Sequence, residues 1–163
     1  MFSVLDLICG AVFIRVERMI KRIKKKPDIV FLTSNLAIGG YTDYSLLVGK
    51  VDCILDLREE AASLEDFAKK LGFEYLKVGI KDGGSPTLEQ ANLIVSWIED
   101  KLKNNKRVLV HCNLGRGRAP LVACIFLSSK GLSLNDYLNL VKRKRKYVYF
   151  SREQLKTLKQ LCH

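Results

Sequence analysis

The stretch His111-Cys112-Asn113-Leu114-Gly115-Arg116-Gly117-Arg118-Ala119-Pro120 holds the residue types that could do chemistry. An apolar strand, Arg107 to Val110, runs straight into His111-Cys112. A loop with two glycines follows, and an apolar helix begins at once with Ala119. The amides of such a loop converge as a nest, and the helix N-terminus adds partial positive charge, so together they bind an anion. Gly115 and Gly117 let the backbone approach that anion without side-chain obstruction. The same dipoles and the cation of Arg118 favour a thiolate at Cys112, and the thiolate is the nucleophilic form of cysteine. Arg118 offers two parallel hydrogen bonds to phosphate oxygens, a fit that lysine cannot match.

The pattern His-Cys-x-x-Gly-x-x-Arg resembles the signature of the protein-tyrosine-phosphatase superfamily, and so short a chain is similar to its dual-specificity branch. The resemblance runs from about Ile29 to His163. Asn35-Leu36-x-x-Gly39, Leu55-Asp56-Leu57-Arg58-Glu59-Glu60 and the loop at Asp82 sit where that family has comparable segments. Gly117-Arg118-Ala119-Pro120 is similar to the loop ending of the phosphatases of regenerating liver. Lys146-Tyr147-Val148 with Gln154-Leu155 looks more like the mitochondrial lipid-phosphate phosphatase of the superfamily.

The resemblance implies hydrolysis of phosphomonoesters through a phosphocysteine, and it assigns roles. Cys112 attacks phosphorus. Arg118 and the amides of Asn113, Leu114, Gly115, Arg116, Gly117 and Arg118 hold the equatorial oxygens. Asp82 is the movable general acid, with Gly83-Gly84 giving its loop mobility and Pro86 the far hinge. His111 orients the loop through hydrogen bonds. Gln154 either places the hydrolytic water or caps its own helix. Asn113 and Arg116 face the substrate, and no metal or cofactor is implied. Ala119 departs from the pattern, because most members carry Ser or Thr directly after the arginine.

The leading expectation is a phosphatase of phosphotyrosine, with phosphoserine and phosphothreonine, acting on proteins. The alternative is a phosphoinositide or phospholipid-phosphate phosphatase at a membrane surface, since Arg116 makes the loop more basic. An RNA 5′-phosphatase would want aromatic residues interleaved with the basic ones to stack bases, and they are missing. A non-catalytic phosphobinding module is opposed by the intact set of Cys112, Arg118 and Asp82.

The elements that must position these residues alternate along the chain. Strands are expected at Ile29 to Ile38, Val51 to Leu57, Phe73 to Ile80 and Arg107 to Val110, with a helical turn around Tyr44 to Val48. Helices are expected over 61–71, from the capping box Thr87-x-x-Gln90, over Ala119 to Lys130, and from Ser133-x-x-Asp136 and Ser151-x-x-Gln154. The alternation predicts an α/β fold, a central, mostly parallel sheet of about four to five strands flanked by helices.

With 163 residues, the chain is sized for one catalytic domain, 28–163, after an N-terminal segment, 1–27. Twenty-eight Lys and Arg against 17 Asp and Glu give a net charge of +11, which favours anionic partners, whether phosphorylated ligands, acidic lipid surfaces or nucleic acid, without choosing among them. Residues 7–14 are apolar but far short of the ~20 needed to span a bilayer. Leu5, Ile8, Val12, Val16, Met19 and Ile23 recur at helical spacing with cations on the other side. Residues 4–26 thus read as an amphipathic basic helix, for peripheral membrane contact or for packing on the domain. Five scattered cysteines without a C-x-x-C pair fit a reducing cytoplasm. Cys53 and Cys124 are candidates for a protective disulfide with Cys112, although inert buried thiols are the simpler reading.

Overall fold

The computed structural model describes Val12, Val16, Met19 and residues 26–161. Five strands form one sheet in the order β1-β2-β5-β3-β4. They are β1 (Ile29–Phe31), β2 (Leu36–Gly39), β3 (Cys53–Arg58), β4 (Glu74–Ile80) and β5 (Val108–His111). All neighbours are parallel except β1 and β2. The helices are α1 (Glu65–Lys70), α2 (Leu88–Lys103), α3 (Arg118–Ser129), α4 (Leu134–Lys144) and α5 (Arg152–Leu161), with a 3₁₀ turn at Tyr44–Leu47.

The single strand expected over Ile29 to Ile38 is in fact a hairpin of two. Thr33 Oγ1 accepts from the amides of Asn35 and Leu36, closing a tight polar turn that reverses the chain. The other boundaries fall within a few residues of expectation. Thr87 and Gln90 cap α2 reciprocally, Ser133 caps α4, and Ser151 and Gln154 do the same for α5.

Side chains alternate across each strand, and this parity sorts the core into two layers. Leu36 and Ile38, Leu55 and Leu57, and Val108 and Val110 face α2, α3, α4 and α5. Ala37, Ile54 and Leu109 face the 3₁₀ turn and α1, against Tyr44, Leu47, Ala68 and Phe73. Helix α3 lies between sheet and outer helices and is buried from Arg118 to Phe126, as an all-round apolar sequence requires.

The parallel strands all end at one edge, so their following loops converge there. Gly40 follows β2, Cys112 follows β5, Glu60 lies just beyond β3, and Asp82 lies just beyond β4. With β5 between β2 and β3, Cys112 comes out at the middle of that edge.

Candidate active site

Residues 112–117 form a loop whose carbonyls are all taken up on its outer side. The Cys112 carbonyl lies 3.4 Å from His111 Nδ1, and the Asn113 carbonyl accepts from Tyr41 N at 3.0 Å. The carbonyls of Leu114 and Gly115 accept from Arg145, and that of Arg116 accepts from Tyr149 N at 2.9 Å. Gly117 accepts the α-helical bond from Leu121 N. The peptides are trans, so each amide that follows an outward carbonyl points the other way, into the loop. The amide of Gly115 reaches Cys112 Sγ at 3.2 Å. Gly115 has φ +66°, and a Cβ there would lie 2.3 Å from Gly39 C. Both conformation and space demand glycine.

Arg118 is the first residue of α3 and only 2% exposed. Its Nη1 and Nη2 donate to the two oxygens of Glu60 at 2.7 and 2.9 Å, and Nη1 also donates to the Ile80 carbonyl at 2.9 Å. Nη2 lies 3.0 Å from Asp82 Oδ1. Burial opposes the guanidinium charge, but Glu60, Cys112 and Asp82 outweigh it, so the pKa is raised. The Arg118 bond in turn holds the Glu60 carboxyl below its usual range. Among the described residues, Arg118 Nε is the one buried side-chain polar atom without a partner. A buried, unpartnered donor on the residue that follows a ring of inward amides suits an oxyanion acceptor.

A cavity of about 240 Å³ opens here, lined by Asp82, Cys112, Arg116, Arg118, Tyr149 and Gln154 among others. The structure brings the loop, Asp82 and Arg116 together around this cavity. Asp82 itself is exposed, and its loop is less free than its glycines imply. Ser151 Oγ donates to the Gly83 carbonyl at 2.6 Å, Gln154 Nε2 to the Gly84 carbonyl at 3.0 Å, and Glu153 accepts from Ser85 N at 3.0 Å. The N-terminus of α5 latches the segment. Gln154 is 1% exposed, and both ends of its amide are engaged, in the cap and in the latch.

His111 faces away from the sulfur because strand parity sends it into the other layer. There Tyr44 Oη lies 2.8 Å from Nε2. Burial, partly offset by Asp56, pushes the His111 pKa down to about 4. The neutral ring accepts from Tyr44, whose own pKa burial raises, and turns Nδ1–H toward the Cys112 carbonyl. Next to it, pairing with His111 across the strands, lies Asp56, 0% exposed. Arg58 meets it with Nε and Nη2 at 2.9 and 2.7 Å, Tyr75 donates a third bond, and the Tyr41 ring covers the guanidinium.

Sequence reasoning missed four residues that act here: Glu60, Asp28, Tyr149 and Arg145. Lys142 to Lys146 are a run of five cations at the end of α4, and Lys142, Arg143, Lys144 and Lys146 are exposed. Arg145 alone turns inward. A disulfide between Cys53 and Cys112 does not fit: Cys53 pairs with Val108, four residues before Cys112, or ~13 Å along the strand. Cys53, Cys112 and Cys124 are all buried, and burial raises the Cys53 pKa to about 11.

A family model described as a polymorphic toxin system DSP-PTPase phosphatase matches residues 39–131. The 123R protein of Invertebrate iridescent virus 6, named as a tyrosine phosphatase, is 31% identical over 104 residues, covering 63% of this chain and 73% of that protein. The chain belongs to the dual-specificity protein tyrosine phosphatase family. The crystal structure of Tk-PTP in its active form superposes on this dual-specificity phosphatase with a TM-score of 0.75 and 33% identity, over 83% of this chain and 96% of that one. PTPMT1 in complex with PI(5)P shares its fold, with a TM-score of 0.72 at 20% identity, covering 80% of this chain and 91% of the other. As a dual-specificity phosphatase, the chain is a phosphoric monoester hydrolase with the five-stranded cysteine-phosphatase fold.

Proposed function

We propose that the enzyme dephosphorylates proteins at tyrosine and at serine or threonine, with Cys112 as nucleophile, Arg118 as phosphate clamp and Asp82 as general acid. The observation that carries this assignment is the unpartnered Nε of buried Arg118 beside the cradle that holds Cys112 Sγ. The thiolate attacks phosphorus in line, the ester P–O bond breaks, and Asp82 in its acid form gives its proton to the leaving oxygen. The amides of Asn113 to Arg118 and the Arg118 fork stabilise the charge that spreads over the equatorial oxygens. Water then attacks phosphorus, Asp82 takes back a proton, and the sulfur leaves. To free Arg118 for substrate, the Asp82 carboxylate gives up its 3.0 Å contact with Nη2. Gln154, occupied by cap and latch, acts by holding the Asp82 loop rather than by placing water.

Cys112→Ser tests the assignment: turnover is abolished while inorganic phosphate still binds, since the amides and Arg118 remain. Turnover near wild type in that variant overturns it.

A second reading, a phospholipid phosphatase resting on a membrane, is favoured by one observation. Val12, Val16 and Met19 are helical, lie on one face and are exposed. The rest of the helix expected over 4–26 lies outside the described residues. Arg116 in the cavity lining and the net charge of +11 suit an anionic headgroup. On the protein reading the enzyme works in the cytoplasm; on the lipid reading it sits peripherally on a bilayer. Comparing kcat/KM for phosphopeptides, soluble phosphoinositides and phosphatidylglycerol phosphate separates them. A lipid preference of about 100-fold or more establishes the second reading. In that case, binding to anionic vesicles falls with salt and with Val12→Asp.

A further inference from the structure

Arg145 caps the C-terminal end of α4 and turns its guanidinium under the phosphate loop, where its side chain is 11% exposed. Its Nε donates to the Gly115 carbonyl at 2.7 Å, and Nη2 donates to the Leu114 carbonyl at 3.1 Å. The two terminal nitrogens also grip Asp28, Nη1 to Oδ1 at 3.2 Å and Nη2 to Oδ2 at 2.9 Å. Asp28 stands just before β1, 117 residues away in sequence, and its side chain is 12% exposed.

These bonds fall on the two peptide planes that flank Gly115. With the Leu114 carbonyl drawn outward, the Gly115 amide on the far side of that plane points inward, where it meets Cys112 Sγ. With the Gly115 carbonyl drawn outward, the amide of Arg116 points into the cradle. Glycine tolerates either sign of φ, so these planes are the ones most able to flip. A flip would aim a carbonyl, not an amide, at the sulfur and at the bound anion.

We propose that Arg145, braced by Asp28, is a positioning residue that locks the two peptide planes around Gly115 with their amides facing the anion. The proposal rests on the reading of Cys112 and Arg118 given above. A lysine cannot replace the arginine, because one ammonium cannot meet two carbonyls and chelate a carboxylate in a single plane.

The molecule contains its own control. Arg107 meets Asp52 with Nε at 3.0 Å and Nη2 at 2.9 Å, and the Gly49 carbonyl with Nη1 at 2.8 Å. That cluster has the same chemistry at the opposite, amino-terminal edge of β3 and β5, away from the cradle.

The test uses the full chain with Arg145→Lys, Arg145→Ala, Asp28→Asn and Arg107→Ala, alongside Cys112→Ser. It reads kcat and KM on an aryl phosphate, inorganic phosphate affinity by calorimetry, and Tm. Both Arg145 variants should lose about 10- to 100-fold in kcat and bind phosphate about tenfold more weakly. Asp28→Asn should shift both in the same direction by less. Arg107→Ala should lower Tm while keeping kcat and phosphate affinity. If Arg145→Ala fails to fold, Arg145→Lys and Asp28→Asn carry the measurement. Arg145→Lys with wild-type kcat and phosphate affinity overturns the proposal, as do equal losses in the Arg107 variant. Full turnover in Cys112→Ser would instead overturn the catalytic assignment, while phosphate affinity would still report on the loop.

Discussion

Glu60 takes both terminal nitrogens of Arg118, at 2.7 and 2.9 Å, and leaves the buried Nε without a partner. The carboxylate thereby fixes the rotation of the guanidinium about its own axis. Lys77 steadies the segment that carries Glu60, donating to the carbonyls of Arg58 and Ala61 on either side of it.

Glu60→Ala should therefore reduce kcat/KM by about tenfold while leaving the fold intact, because Arg118 keeps its charge and loses its aim. Glu60→Gln retains one acceptor and should lose less. Steady-state kinetics on an aryl phosphate check this, and equal activity in all three proteins would leave Glu60 a surface ion pair.

For Asp82, the leaving group is the discriminating variable. Asp82→Asn should cost about 100- to 10,000-fold on an alkyl phosphate, whose alkoxide needs a proton, and much less on an acidic aryl phosphate. Gln154→Ala, which cuts the bond to Gly84, should shift in the same pattern by a smaller factor, with faster amide exchange over 82–85. Equal slowing on both substrates would remove Asp82 from the acid role.

The buried, neutral His111 makes a prediction about pH. Its folded pKa of about 4 lies below the unfolded value of ~6.5, so between those limits the unfolded chain binds more protons. Stability should be fully present above pH ~6.5 and fall as pH drops toward ~4, by about 3 kcal/mol for this group. Denaturant titrations of wild type and His111→Asn across that range should diverge, with the variant the flatter. Parallel curves would assign the loss to carboxylates instead.

Ala119 bears on the second chemical step. Buried in the first turn of α3, it offers no hydroxyl to the cysteine sulfur when that sulfur becomes the leaving group. A hydrogen bond to a charged group is worth roughly 1.5–3 kcal/mol, or about 10- to 100-fold in rate if made only in that transition state. Rapid-quench kinetics should record a burst of first product and then slow turnover. Ala119→Ser should raise the steady rate and shrink the burst. No burst and no gain would mean that the loop amides, Gly115 foremost, suffice.

The sequence by itself determined what depends on neighbours along the chain. Strand parity and helical period are local, so the apolar positions of β3, β5 and α3 declared their buried faces. The caps at Thr87, Ser133 and Ser151 bond within three residues, so the helix starts were legible too. The cradle from Cys112 to Arg118 is one continuous piece whose chemistry follows from order and spacing. Partners distant in sequence were another matter. Asp56 and Arg58 interrupt an apolar strand at alternate positions, a visible sign of a buried pair, yet nothing local said that Tyr44 and His111 would join them. Glu60 and Arg118 are 58 residues apart, and Arg145 and Asp28 are 117 apart. Which carboxylate meets which arginine is set by the order in which strands enter the sheet and by where α4 ends against the loop. A basic run at a helix end looks solvated residue by residue. Only the packed tertiary structure, where the loop carbonyls needed a buried donor, turned Arg145 alone inward.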